Sequence, residues 1–261
     1  MNIAVCVKQV PDASEVKIDK ATGTMVREGV PAILNPFDAY AVEEAIRLRE
    51  KHGGKVTAVT MGPPQAGDVL KHTVAMGADD VMLISDRAFA GADTWATSYT
   101  LGLGLKKLDS LDLVICGKQA IDGDTAQVGP GVAENLGLPF VAYVRKIVDV
   151  YNGKMKVERL IEDGYEVVEV SLPAVITVVK EINTPRMPSL KGKMKAKSLD
   201  IKPLSAEAIG AEADKIGLAG SPTKVMKVFS PPPKGNRERI EGTPNEQAAR
   251  LVEKLREMKI L

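Results

Sequence analysis

Apolar residues in the first half of the chain fall into two alternating kinds of run. Ile3–Val10, Lys55–Met61, Asp80–Ile84 and Leu111–Cys116 are short and dense, as buried strands are. Between them lie the longer amphipathic stretches Asp38–Lys51, Gln65–Met76, Asp93–Leu108 and, after the last strand, Thr125–Leu136. In the first of these Ala41, Ala45, Ile46 and Leu48 share a helical face; Asn35-Pro36 precedes it and Gly53-Gly54 ends it. A small hairpin is expected from Glu15–Ile18 and Thr24–Arg27. Strands alternating with helices imply parallel pairing through right-handed crossovers, so the fold class is α/β, doubly wound around a mostly parallel sheet. Such sheets bind ligands at the carboxyl ends of their strands.

The pattern changes after Gly137-Leu138-Pro139. Val141–Val150, Lys154–Ile161, Tyr165–Leu172 and Ala174–Val179 read as strands with hairpin signals such as Asn152-Gly153 between them, an antiparallel extension of the sheet. From Asn183 the periodicity fails. NTPRMPSLKGKMKAKSLDIKPLS and SPPPKGNRERIEGTPNEQ are rich in breakers and predict an extended arm, which divides the chain into a binding domain, 1–182, and an arm, 183–261. The arm closes on Asn245–Met258, where Ala248, Leu251, Val252 and Leu255 form one apolar face behind a Thr243-Pro244-Asn245-Glu246 start signal. That helix either folds back on its own domain or docks on a partner subunit.

Charge and composition remove several classes of function. Lys and Arg number 35 against 34 Asp and Glu in 261 residues, so no global field draws the chain to nucleic acid or to an anionic membrane. Cys6 and Cys116 both lie in apolar runs, which fits buried thiols in a reducing cytoplasm. The first apolar run is too short for a signal peptide, and no later run reaches transmembrane length. Lys8-Gln9-Val10-Pro11-Asp12 supplies no glycine for a dinucleotide fingerprint after the first strand, and Asp68 stands where a phosphate-loop lysine belongs after Gly62–Gly67. His52 and His72 lack helical metal spacing, and the loop after Asp122-Gly123-Asp124 lacks the ligands of a calcium site.

What remains is GKQAIDGDTAQVGPGVAENLG, residues 117–137, at the end of a strand. Two readings stand. The first free N–H groups of the following helix can hold a phosphate, with Gly123 allowing close backbone approach; or the stretch is a capping turn in which Asp124 caps the helix.

VKQVPD, NPFDAYAVEEAIRLRE, VTMGPPQ, AMGADDV, GKQAIDGDTAQVGP, LPAVITVVKEINTPR and the terminal LVEKLREMKI together resemble the beta subunit of an electron-transfer flavoprotein along nearly the whole chain. The resemblance implies a nucleotide-binding domain and a C-terminal arm that reaches over an alpha subunit in a heterodimer. It places the adenine nucleotide against Cys6, Lys8, Asn35, Pro36, Phe37, Asp38, Met61 and the loop Gly117, Lys118, Gln119, Ala120, Ile121, Asp122, Gly123, Asp124, Thr125, Ala126, Gln127 and Val128. In the arm it gives Leu190 the role of a leucine inserted into a client dehydrogenase. Arg186 counts among seven basic residues, with Lys180, Lys191, Lys193, Lys195, Lys197 and Lys202, that outnumber Glu181 and Asp200 around that leucine. Ordinary members hold AMP in the beta site and electron-bifurcating members hold FAD. The loop DGDTAQVGPG, and Asp93, Thr94 and Thr97 in GADTWATSYTLG, resemble the bifurcating group, which implies FAD with AMP as the alternative. In that group the heterodimer takes electrons from NADH and divides them between ferredoxin or flavodoxin and an acyl-CoA dehydrogenase, and no residue of this chain need be a catalytic acid, base or nucleophile.

Overall fold

The structure is a computed structural model that describes residues 1–12, 17–18, 25–26, 31–226 and 238–261. Its centre is an eight-stranded sheet built from β1 (Asn2–Cys6) and, after the short strands β2 (Gln9–Pro11), β3 (Lys17–Ile18), β4 (Met25–Val26) and β5 (Ala32–Leu34), from β6 (Lys55–Met61), β7 (Asp80–Ile84), β8 (Leu113–Gly117), β9 (Phe140–Tyr151), β10 (Lys154–Ile161), β11 (Gly164–Ser171) and β12 (Ala174–Val178). The spatial order is β11-β10-β9-β12-β8-β1-β6-β7, and the strands from β9 to β7 pair in parallel. From β1 the chain winds outward through β6 and β7, then crosses back so that β8 lies on the other side of β1. The winding therefore reverses between β1 and β8, where Cys6 stands in register with Cys116.

Alternation along β1 divides the core. Ile3, Val5 and Val7 pack under α1 (Pro36–His52) and α2 (Gly67–Met76), while Ala4 and Cys6 face α3 (Thr94–Leu105) and α4 (Val128–Leu136). Gly102 and Gly104, set inside α3, serve close packing of two kinds. A Cβ on Gly104 would lie 2.2 Å from the Ile84 side chain of the sheet, and one on Gly102 would lie 2.8 Å from Asn135 of α4.

Several expected elements take different forms. The first strand stops at Cys6 instead of Val10, because the Lys8 N–H is taken by the Asp38 carboxylate (2.8 Å) and the next residues pair antiparallel with β5. Lys17–Ile18 and Met25–Val26 do pair antiparallel, and the turn expected between them lies outside the described residues. Ala174–Val178 is not the last strand of an antiparallel meander; it returns to the parallel sheet between β8 and β9. The helix expected from Thr125 begins at Val128, since Ala126 has φ 55° and Asp124 φ 54°, left-handed values that a right-handed helix cannot include.

The arm is extended only in part. Residues 183–223 are laid over the domain: α5 (Leu190–Lys197) packs on α2, Leu204 bridges to Ile84 at the outer edge of β7, and α6 (Ala206–Ile209) follows with Ile209 and Ile216 buried. The last helix, α7 (Pro244–Glu257), starts with the expected capping box, in which Glu246 accepts the Thr243 N–H (2.8 Å), and contains no buried residue.

At α5 the Ser189 N–H donates to the Ala75 carbonyl (3.1 Å), and a Cβ on Gly192 would stand 2.3 Å from that same backbone oxygen. Gly192→Ala is therefore expected to lift α5 from α2 and to speed amide hydrogen exchange over residues 189–197 about tenfold or more while leaving β1 and β8 protected. Unchanged exchange in α5 would show that its seat on α2 is not held by this contact.

Candidate functional site

At the reversal of the sheet, α1 enters so close to the end of β8 that a Cβ on Gly117 would lie 2.3 Å from Asp38 Oδ1 and 2.7 Å from the Phe37 carbonyl carbon. Only glycine fits there. Asp38, buried in the first turn of α1, accepts the Lys8 N–H and a backbone hydrogen bond from Gly117, so one carboxylate ties the ends of β1 and β8 together. Burial pushes its pKa from 3.8 up to about 7, against the opposing pull of Asn35, the two backbone N–H groups and the Lys8 charge.

Asn35 carries the same knot into the loop. Its Nδ2 donates to Asp38 Oδ1 (2.9 Å) and to the Gln119 carbonyl (2.9 Å), and its Oδ1 accepts the Ile121 N–H (3.2 Å). Every polar atom of this buried amide is committed to protein, so Asn35 shapes the loop. Lys118 is anchored to β12 through its N–H to Val178 O (2.9 Å), with its ammonium 5.4 Å from the Tyr143 ring centre. Asp124 N–H closes a turn onto Ala120 O (2.9 Å), and Gln119 donates to the Asp124 carboxylate. Asp124 thus braces the loop and does not cap α4; among the described residues no side chain caps that helix.

The outer face of the loop is open: residues 121–125 and Gln127 are exposed, and Lys8 reaches over the loop to pair with Asp122 (2.7 Å) at the rim. Among the described residues, apart from its chain neighbours, nothing lies within 4 Å of a Cβ placed on Gly123. Ala126 in the left-handed region costs about 1 kcal/mol or more, strain of the kind that collects at ligand clamps. Cys6 and Cys116 lie beneath, buried, and their mutual hydrogen bond together with burial pushes the Cys116 thiol well above its usual range, so it stays protonated. Met61, at the end of β6, lies on the same carboxyl edge of the sheet and packs into the core.

The amino ends of α3 and α4 converge on this edge. Ser98 Oγ would meet a Cβ on Gly131 at 2.4 Å, and Thr94 Oγ1 stands 3.4 Å from Thr125 Oγ1. Ser98 and Gly131 were missed as site determinants; small residues inside both helices were the available signal. Thr97 is partly buried one turn along α3, its N–H bonded to Asp93 O (3.0 Å). Asp93 itself caps α3 through Ala96 N–H (3.1 Å) and receives both the N–H and the hydroxyl of Thr223 (2.9 and 2.8 Å). Its carboxylate is thereby a buckle for the arm, a role for which Thr223 and Ser221 gave no sign in the sequence.

Arg186 and Leu190, expected at a docking face, lie away from this edge on the α1 and α2 side. Leu190 is exposed, as expected of a docking residue, but Arg186 is not a free surface cation: its guanidinium is engaged by Glu43 and Glu50 of α1. Two recesses, of about 110 and 280 Å³, lie elsewhere, one between α1 and β9 and one at the amino ends of β1, β6 and β7. No described helix is long and apolar enough to cross a membrane.

An open carboxyl edge at the reversal of a doubly wound sheet, with a braced loop and an uncapped helix terminus, is the architecture of the doubly wound α/β class, whose members bind ligands at such an edge. Residues 22–209 match the electron transfer flavoprotein domain. The chain is 54% identical to the caffeyl-CoA reductase-Etf complex subunit CarD of Acetobacterium woodii and 49% identical to the electron transfer flavoprotein subunit beta of Megasphaera elsdenii, in each case over the whole of both chains. It is 44% identical, again over both whole chains, to the acryloyl-CoA reductase electron transfer subunit gamma of Anaerotignum propionicum. The chain belongs to the electron transfer flavoprotein family, as a relative of its beta subunits.

The knot at Asp38 has a pH signature. Below pH 3.8 folded and unfolded chains both carry its proton; between 3.8 and about 7 only the folded protein holds it, so stability falls as pH rises through that window. Asp38→Asn, which stays neutral, is expected to lose about 2–3 kcal/mol less than the native protein between pH 5 and pH 8 in urea denaturation. Equal losses in the two proteins would show that Asp38 does not hold a proton in the folded state.

Proposed function

We propose that this chain binds FAD at the β1–β8 edge and, joined to an alpha subunit in the cytoplasm, forms a heterodimer that takes electrons from NADH and divides them between ferredoxin or flavodoxin and an acyl-CoA dehydrogenase. The observation that carries the binding reading is the uncapped start of α4 beside a loop strained at Asp124 and Ala126, with Thr94 and Thr125 brought together next to it. An anion fits such a terminus because its free N–H groups and the helix dipole favour negative charge. Val128 and Gly129 would offer backbone N–H groups to a diphosphate, Gly123 would let the loop approach it, and Thr94, Thr97 and Thr125 would face the remainder of the ligand. Gln119, Gln127 and the Lys8–Asp122 pair stand at the rim for orientation.

When bound, flavin supplies hydride acceptance and one-electron transfer, and the protein supplies binding, orientation and field. In this chain the contribution is positional: Asn35, Asp38 and Gly117 hold the loop, and no side chain at the edge is set up as a nucleophile. The edge is open in the single chain, which supports an alpha subunit as the wall that excludes water. Relatives named as subunits of caffeyl-CoA reductase and acryloyl-CoA reductase assemblies support an acyl-CoA type of client. Residues 183–261 are read as the contact arm, with Leu190 facing the dehydrogenase and the bare apolar face of α7 facing alpha.

A second reading, AMP in the same site with a single FAD in alpha, draws support from Asp93, whose carboxylate is taken by Ala96 and Thr223. Acid release of the cofactors from the native heterodimer, followed by chromatography, separates the two. Two FAD and no AMP per heterodimer are expected; one FAD with one AMP would make this an ordinary electron carrier. Because a Cβ at Gly123 would meet no atom of the described residues beyond its chain neighbours, Gly123→Val is a clean probe: it should release the beta-site ligand at least tenfold more readily while the fold and the alpha flavin remain. Full retention would move the ligand away from this loop.

A further inference from the structure

The arm crosses α1 before it presents its exposed apolar residues, and one side chain secures the crossing. Arg186 donates its backbone N–H and its Nε to Glu43 Oε2 (3.0 and 2.8 Å) and one terminal nitrogen to Glu43 Oε1 (3.2 Å). The same guanidinium reaches Glu50 Oε1 (2.6 Å) and Oε2 (3.1 Å), two turns further along α1. Glu43 is almost completely buried and also accepts Arg47 Nε (2.7 Å); burial pushes its carboxyl up, yet the hydrogen bonds from Arg186 and Arg47 hold it below the usual range. A forked, two-carboxylate clamp of this kind fixes direction as well as position, which a single lysine ammonium does not.

Immediately after the clamp come Met187, Leu190 and Met194, 84, 78 and 68% exposed, spaced so that the last two share a face of α5. On either side of Leu190 the chain is held again, by Ser189 before it and Gly192 after it, both against Ala75 of α2. The segment that carries the ridge is therefore pinned at both ends, to α1 by Arg186 and to α2 by α5. Exposed apolar side chains on a segment free to wander would lose ordering entropy on every encounter; on a pinned segment that loss is already met.

We propose that Arg186 is the positioning residue of the docking ridge: by bridging Glu43 and Glu50 it sets the direction in which Met187, Leu190 and Met194 face the client flavoprotein. This rests on the reading of Leu190 as the client contact. Arg186 acts through the ridge it holds. The clamp also places the docking ridge on the helix whose first turn, at Asn35 and Asp38, builds the nucleotide edge.

The test is a double-variant cycle in the native heterodimer, with electron exchange followed while a purified short-chain acyl-CoA dehydrogenase is varied in concentration. Arg186→Ala is expected to raise the KM for the dehydrogenase about tenfold with kcat and flavin content retained, and to speed tryptic cleavage after Lys191. Leu190→Ala alone should raise the same KM, and adding Arg186→Ala to it should raise KM by a clearly smaller factor than in the native chain, since only Met187 and Met194 are left to position. If Leu190→Ala raises KM but Arg186→Ala does not, or if the two effects multiply, the proposal fails and the docking reading stands. If Leu190→Ala leaves KM unchanged, both fall together.

Discussion

One buried carboxylate organises the functional edge of this protein. Asp38 accepts N–H groups from Lys8, just past the end of β1, and from Gly117, the last residue of β8, the two strands that flank the reversal of the sheet. The requirement propagates outward. Gly117 must lack a side chain for α1 to come that near, β1 must stop at Cys6 for Lys8 to reach the carboxylate, and Asn35 is left in place to hang the next loop from α1. The loop 118–127 is held by a few named bonds at its inner side, which leaves its outer side and the start of α4 free.

That division between committed and free groups separates framework from contact. Asn35, Asp38, Gly117 and Asp93 have their polar atoms or their space filled by the protein, whereas Gly123, Thr125 and Gln127 do not face inward. The arm belongs to the framework through residue 223: it is buttoned to α1 by Arg186, to α2 by Gly192, to β7 by Leu204 and to α3 by Asp93. Only beyond that does the chain offer a helix, α7, with nothing packed on its apolar face among the described residues.

Much of this was legible in the sequence, and the misses have physical causes. Period alone located the parallel strands and their helices, because burial on both faces demands dense apolar runs and the covering helices demand one apolar face. It did not distinguish β12 from a meander strand, since Ala174–Val178 has the composition of any buried strand and its position depends on long-range pairing. The arm looked unstructured because its attachment uses isolated residues, Ala196, Leu204, Ile209 and Ile216, set among charged and small residues without a repeat. Asn35, Asp38 and Asp93 also make hydrogen bonds to residues far along the chain, and such long-range bonds leave no local pattern. The clamp of Arg186 on Glu43 and Glu50 leaves no local pattern for the same reason.

The account turns on where the beta-site ligand lies. A density map of the native heterodimer with its resident cofactors tests this most directly. FAD is predicted at the edge between β1 and β8, its diphosphate against the first N–H groups of α4 and the inner bonds of Asn35 and Asp38 unchanged. A ligand seated elsewhere, or an empty loop at residues 118–127 in a fully active heterodimer, would contradict it.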